Sequence, residues 1–195
     1  MIDNLPIQRE RNTHETQIEV LLHPWGKAEV YIDTGVGFLD HMLTLLGVHA
    51  GFDLKIKARG DYHVDYHHTV EDVGIVLGQA LCEALGDRAG LARYGEMTLP
   101  MEESLAQVVV DLARRPCFVF KGSLPVEKIG SFDTELIPEF YKALAMNGLF
   151  TLHVNLLYGK NAHHLAEASF KALGHALRKA LSPKGKGPLS TKGVL

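Results

Sequence analysis

Cysteine is almost missing from this chain: Cys82 and Cys117 are the only two in 195 residues. So few exclude a disulfide-stapled scaffold and a thiolate zinc cluster. Both lie in apolar runs and read as small core residues in a reducing compartment. No apolar run is long enough to span a bilayer. The opening MIDNLPIQRER has no apolar segment of the kind a secretion signal needs. Excess charge is also lacking. A formal net charge of −3 gives no broad attraction to nucleic acid or an anionic membrane. No glycine-rich nucleotide loop is found, since GVGFLD at 35–40 is too short a match. What remains is a cytoplasmic globular protein, of ordinary hydrophobic (46%) and charged (22%) content. Its length suits one core or two fused half-domains.

Histidine is what stands out. The eleven histidines include two adjacent pairs, each followed by a glutamate at the same distance: HHTVE at 67–71 and HHLAE at 163–167. Positions i and i+4 of a helix share a face. His67 therefore converges with Glu71, and His163 with Glu167. The second histidine of each pair points about 100° away and suits a different ion. Two such helices facing each other can exchange ligands. Imidazole with carboxylate fits a borderline divalent ion such as Mn, Fe, Co or Zn.

The repeat extends beyond the motif. HHTVEDVGIVLGQAL and HHLAEASFKALGHAL agree at seven of fifteen positions. After a two-residue gap, Phe52 and Leu54 match Phe150 and Leu152. The same register sets His41 of LDHML opposite Glu139 of IPEFY. An internal duplication of about ninety residues is longer than a solenoid unit and nearer a half-domain. Its register predicts His41 and Glu139 as equivalent ligands. The competing reading of Glu139 is an acidic residue in a first helical turn.

Pattern places these motifs. Residues 15–22 alternate as a strand, and HPWG makes a turn into 27–34, its expected hairpin partner. Residues 40–48 read as a helix, 52–59 as a strand and 67–85 as a helix. Gly95 and Pro100 are expected to break the chain between the halves. Strands follow at 105–112 and 117–121, a helix at 136–146, a strand at 150–157 and a helix at 161–181. The fold class is α+β. It is an internally duplicated subunit of two half-domains, each a sheet covered by two helices on one face. The two repeats, about 1–90 and 91–182, form a single domain spanning 1–195. A flexible basic tail, 183–195, has too much Gly, Pro and Lys to fold alone. Lys171 stands at i+4 from Glu167. Arg93, Arg115 and Lys192 lie at turns or in the tail, where phosphate is commonly held.

Together GFLDHML, DYHVDYHHTVEDVGI, ARYG, DLARRP, LHVNLLYGKNAHHLAEASFKAL and LSTKGVL closely resemble the imidazoleglycerol-phosphate dehydratase family of histidine biosynthesis. The resemblance runs from Arg11 to Leu195. It implies trimers assembled into a closed shell of twenty-four subunits, with two Mn2+ ions per active site held between subunits. With no phosphatase segment ahead of it, the chain resembles the monofunctional form. By the resemblance, His41, His68, His163 and Glu167 hold one metal. His67, Glu71 and His164 hold the other, with Glu139 where relatives carry His. Glu15 is the implied acid–base residue. His49, Arg93, Arg115, Lys171, Ser190 and Lys192, with Glu15, contact the substrate. Glu102 is a second departure, since many relatives carry Asp there.

The implied chemistry is loss of water from a phosphorylated imidazole diol, giving a ketone. A poorly acidic C–H beside the ring must be broken. In the family's implied mechanism the ring, bound as imidazolate, expels hydroxide to a diazafulvene-like intermediate, and a carboxylate moves the proton. A phosphate clamp supplies binding energy away from the reacting carbons. A dinuclear metallohydrolase of a small phosphorylated substrate is the alternative, and would release phosphate. A metal-storage shell would need no phosphate clamp.

Overall fold

The computed structural model describes residues 5–185 together with 187 and 190. The first half comprises β1 (Ile7–Asn12), β2 (Thr16–His23), β3 (Val30–Asp33), α1 (Gly37–Ala50), β4 (Asp53–Gly60) and α2 (His67–Leu85). The second comprises β5 (Tyr94–Met101), β6 (Ser104–Asp111) and β7 (Cys117–Lys121), then a small hairpin of β8 (Lys128–Ile129) and β9 (Phe132–Asp133). It closes with α3 (Leu136–Asn147), β10 (Thr151–Tyr158) and α4 (Ala162–Ala180). The sheets have orders β1-β2-β4-β3 and β5-β6-β10-β7. In each, the last-named pair is parallel and the others antiparallel.

Alternation explains the layers. Ile18, Val20 and Leu22 of β2 point inward, as do Ala106, Val108 and Val110 of β6. Helices α1 and α2 cover the first sheet, and α3 and α4 the second. The halves then meet through their helices, α1 against α4 and α2 against α3. The expected α+β subunit of two half-domains is the observed one.

Two glycines show that the halves are related by a pseudo-twofold. A Cβ at Gly174 would lie 2.9 Å from both Leu46 O and Ala50 N. A Cβ at Gly78 would lie 2.7 Å from Leu144 O and 2.8 Å from Gly148 N. Gly78 and Gly174 are aligned in the repeat, and so are Leu46 with Leu144 and Ala50 with Gly148. Each half thus presses the same glycine against the same turn of the other half.

Three expectations are corrected. β3 is not the hairpin partner of β2; it pairs in parallel with β4. β1 and β4 occupy both edges of β2, and Asp53 pins the HPWG loop to β4 by accepting from Lys27 N (2.6 Å) and Glu29 N (3.0 Å). Gly95 and Pro100 do not break the chain but lie within β5. β5 is an edge strand, where proline is tolerated. Gly95 is needed there, because a Cβ would collide with the Ala176 carbonyl of α4. Finally, Cys117 is exposed on edge strand β7, and Cys82 is half-buried. The start of the tail is docked: Lys184 N donates to Gly90 O at 2.7 Å, and Gly90 N to Gly187 O at 3.0 Å.

Candidate metal and substrate site

α4 begins at an asparagine cap. Asn161 Oδ1 accepts from His163 N (2.9 Å) and His164 N (3.4 Å), satisfying donors that a helix start leaves unpaired. The helix then carries His163, Glu167, Lys171 and His175 along one stripe, facing His41 and His49 of α1. His41 Nε2 lies 2.8 Å and His163 Nε2 3.0 Å from Glu167 Oε1. Lys171 Nζ donates to Glu167 Oε2 at 2.6 Å. Ligand atoms of His41, His163 and Glu167 all fall within 4.8 Å of one another. Burial raises the Glu167 carboxyl, but Lys171, His41 and His163 outweigh it and hold it down at about 2. It is therefore a carboxylate throughout the neutral range.

The pseudo-twofold carries this arrangement to α2 and α3, where His67, Glu71 and Glu139 stand for His163, Glu167 and His41. These three do not close into a triad of the same tightness among the described residues. Glu139 instead accepts from Lys142 at 3.3 Å. Position 75, the counterpart of Lys171, is Ile75, so α2 has no lysine one turn beyond its glutamate as α4 has.

The two other histidines of the expected ligand set, His68 and His164, each have a carboxylate on their own chain. His68 Nδ1 is 3.0 Å from Asp61 Oδ2 and 3.9 Å from Glu15 Oε2. His164 Nδ1 is 2.7 Å from Glu103 Oε2 and 4.0 Å from Glu102 Oε2. Within one chain, then, His68 does not join His41, His163 and Glu167, and His164 does not join His67 and Glu71. Sequence reasoning missed Asp61, Glu103 and His175. Only the sheets show Glu103 as the counterpart of Glu15, through the pairings of Leu22 with Leu54 and of Val110 with Leu152.

The expected phosphate residues lie elsewhere. Arg93 N donates to Ala180 O at the end of α4, about 20 Å from Glu167 at 1.5 Å per residue. Its guanidinium forks onto Asp111, Nε to Oδ1 at 2.7 Å and Nη2 to Oδ2 at 3.1 Å. Arg115 reaches the same carboxylate at 3.8 Å and is largely exposed. His49 meets His175 at 3.0 Å. Ser190 is at the margin of the described residues, and Lys192 lies outside them.

A sequence model of the family described as imidazoleglycerol-phosphate dehydratase matches residues 34–177. The chain belongs to the imidazoleglycerol-phosphate dehydratase family. It is accordingly a hydro-lyase. The imidazoleglycerol-phosphate dehydratase of Methylorubrum extorquens is 54% identical over 188 residues, 95% of this chain and 96% of that protein. That of Geobacillus kaustophilus is 52% identical over 187 residues, again 95% and 96%. The crystal structure of imidazoleglycerol-phosphate dehydratase from Staphylococcus aureus superposes with a TM-score of 0.84 at 44% identity. It covers 92% of this chain and 100% of that one. The Pyrococcus furiosus enzyme in complex with (S)-C348 gives 0.83 at 38% identity, covering 96% and 100%. No helix among the described residues is long and apolar enough to cross a membrane.

Proposed function

We propose that the chain carries out its family's dehydration, of imidazoleglycerol phosphate to imidazole-acetol phosphate in histidine biosynthesis, with two Mn2+ ions per site held between subunits. The observation that carries this reading is the convergence of His41, His163 and Glu167 on one point from two helices. Two imidazoles and a carboxylate suit a borderline dication. Three donors leave its coordination unfinished, and the next expected ligand, His68, is engaged elsewhere on the same chain. The reading completes the set with His68 of a second copy. It completes the other set, His67, Glu71 and Glu139, with His164 of a second copy. Such sharing suits a closed homo-oligomer of twenty-four subunits built from trimers, working in the cytoplasm.

When bound, the two dications would hold the substrate's ring as its anion and stabilise charge that neutral donors would stabilise less. The chain's own residues do the rest. Glu15, exposed beside His68, shuttles the proton beside the ring. Lys171 places a fixed positive charge next to Glu167. Arg93, Arg115, Ser190 and Lys192 form the phosphate clamp, and Arg93 is pre-aligned by Asp111. Since Arg93 sits at the far end of α4 from His163, one chain's clamp serves a site completed by other chains.

Formation of imidazole-acetol phosphate, assayed with and without Mn2+ after chelation, tests the proposal. Product is expected only with metal restored. Release of inorganic phosphate in place of the ketone would overturn it in favour of hydrolysis.

A further inference from the structure

Glu15 and Glu103 hold the same place in the two halves. Each ends the turn leading into the inner strand of its sheet, just before the buried Thr16 and Ser104. Each faces the second histidine of the pair on its half's last helix. Their settings differ. Glu103 Oε1 is tied down by three donors: Ser104 Oγ at 2.9 Å, Lys160 N at 3.1 Å and Asn161 N at 2.8 Å. Its other oxygen is thereby aimed at His164 Nδ1, at 2.7 Å. Glu15 stands off from His68 at 3.9 Å, and Asp61 takes the His68 Nδ1 contact at 3.0 Å.

An ionised carboxylate only accepts hydrogen bonds. Facing Glu103, a neutral His164 carries its proton on Nδ1 and keeps the Nε2 lone pair free. Facing Asp61, a neutral His68 does the same. That tautomer is the one a metal takes at Nε2, and carboxylates bonded to the other nitrogen commonly set it.

We infer that Glu103 and Asp61 are positioning residues, which lock His164 and His68 in the tautomer that ligates through Nε2. The inference rests on the metal-ligand reading proposed above. It also gives a reason for the split between the duplicated glutamates. Asp61 relieves Glu15 of orienting a histidine, so Glu15 is available to the substrate. The second half supplies no such substitute, and Glu103 stays committed to His164.

The competing role for Glu103 is a helix-start acceptor with no bearing on metal. Glu103→Gln separates the two. The amide oxygen can still accept from Lys160 N and Asn161 N, but its NH2 then meets the Nδ1 proton and drives His164 to the wrong tautomer. Mn2+ titration of metal-free protein should show about 10–100-fold weaker binding of one ion per subunit, with the melting temperature of the metal-free protein nearly unchanged. Asp61→Asn should weaken the other ion in the same way. Glu15→Gln should lower turnover and leave both affinities at the wild-type value. Wild-type Mn2+ affinity in Glu103→Gln, with an ion lost in His164→Ala, would overturn the positioning role alone. Retention of both ions in His164→Ala would overturn the ligand assignment and this inference with it.

Discussion

His49 of α1 and His175 of α4 face each other with Nδ1 and Nε2 3.0 Å apart. One ring must donate and the other accept, so a second proton breaks the contact. Burial lowers both pKa values. His175 and Lys171 lower His49 further against a partial rise from Glu167, while Arg178 and Lys179 lower His175. Both rings therefore bind protons less readily folded than unfolded, where the reference value is about 6.5. Their stabilisation is complete above that value and is lost as pH falls through the depressed folded values. The equivalent positions in the other seam are Asn147 and Gln79, which do not titrate. The double variant His49→Asn/His175→Gln should lose less melting temperature than wild type between about pH 7.5 and 5.5, measured on metal-free protein. An identical pH dependence would contradict the assignment.

Gly174 should resist substitution by alanine. Alanine is favoured in a helix by about 1 kcal/mol, but its Cβ would lie 2.8 Å from His49 Cβ and 2.9 Å from the α1 backbone. Overpacking of this kind costs about 1–3 kcal/mol, so Gly174→Ala should be less stable in denaturant titration. Gly37→Ala, where a Cβ meets nothing within 4 Å, is the matched control and should be close to neutral.

Glu139 is expected to be a ligand, although its carboxylate rests on Lys142 at 3.3 Å. Such an exposed i,i+3 pair is worth only about 0.2–0.5 kcal/mol and yields readily to a dication. Glu139→Ala should lose one ion per subunit and most activity; Glu139→His should retain both. Metal analysis of the alanine variant decides the matter, with two ions and normal turnover pointing to a helix-start residue.

Removal of the chain from Ser190 onward should raise KM for imidazoleglycerol phosphate while leaving metal content and assembly intact. Ser190 and Lys192 are assigned to phosphate and not to metal. Steady-state kinetics with an unchanged KM would remove them from the clamp.

Much of this was legible in the chain because it follows local periodicity. The HHxxE spacing fixes a helix face, and the alternation in β2, β4 and β6 marks inward-pointing strands. The repeat register paired His41 with Glu139 and gave Gly78 and Gly174 equivalent places. β1 escaped because nearly all its residues are exposed, leaving no apolar alternation to detect. β5 escaped because Gly95 and Pro100 carry the chemistry of a break. Their true reasons, a helix pressed close and an unpaired edge, exist only in the packed sheet. The partner of β3 is set by Asp53 gripping the preceding loop, a contact between residues far apart in the chain. Asp61 and Glu103 were invisible for a similar reason: their meaning lies in which imidazole nitrogen they face.

The central claim is that complete sites form only between chains. On this account His163→Ala destroys one face of the site and His68→Ala the other, so each variant alone is inactive. Co-expressed, the two should assemble into mixed oligomers in which an intact face of one chain meets an intact face of the other. Random assortment restores about a quarter of the sites, so the specific activity of the mixed, Mn2+-loaded oligomer should approach about a quarter of wild type. Activity no greater than the sum of the two variants prepared separately would contradict the account.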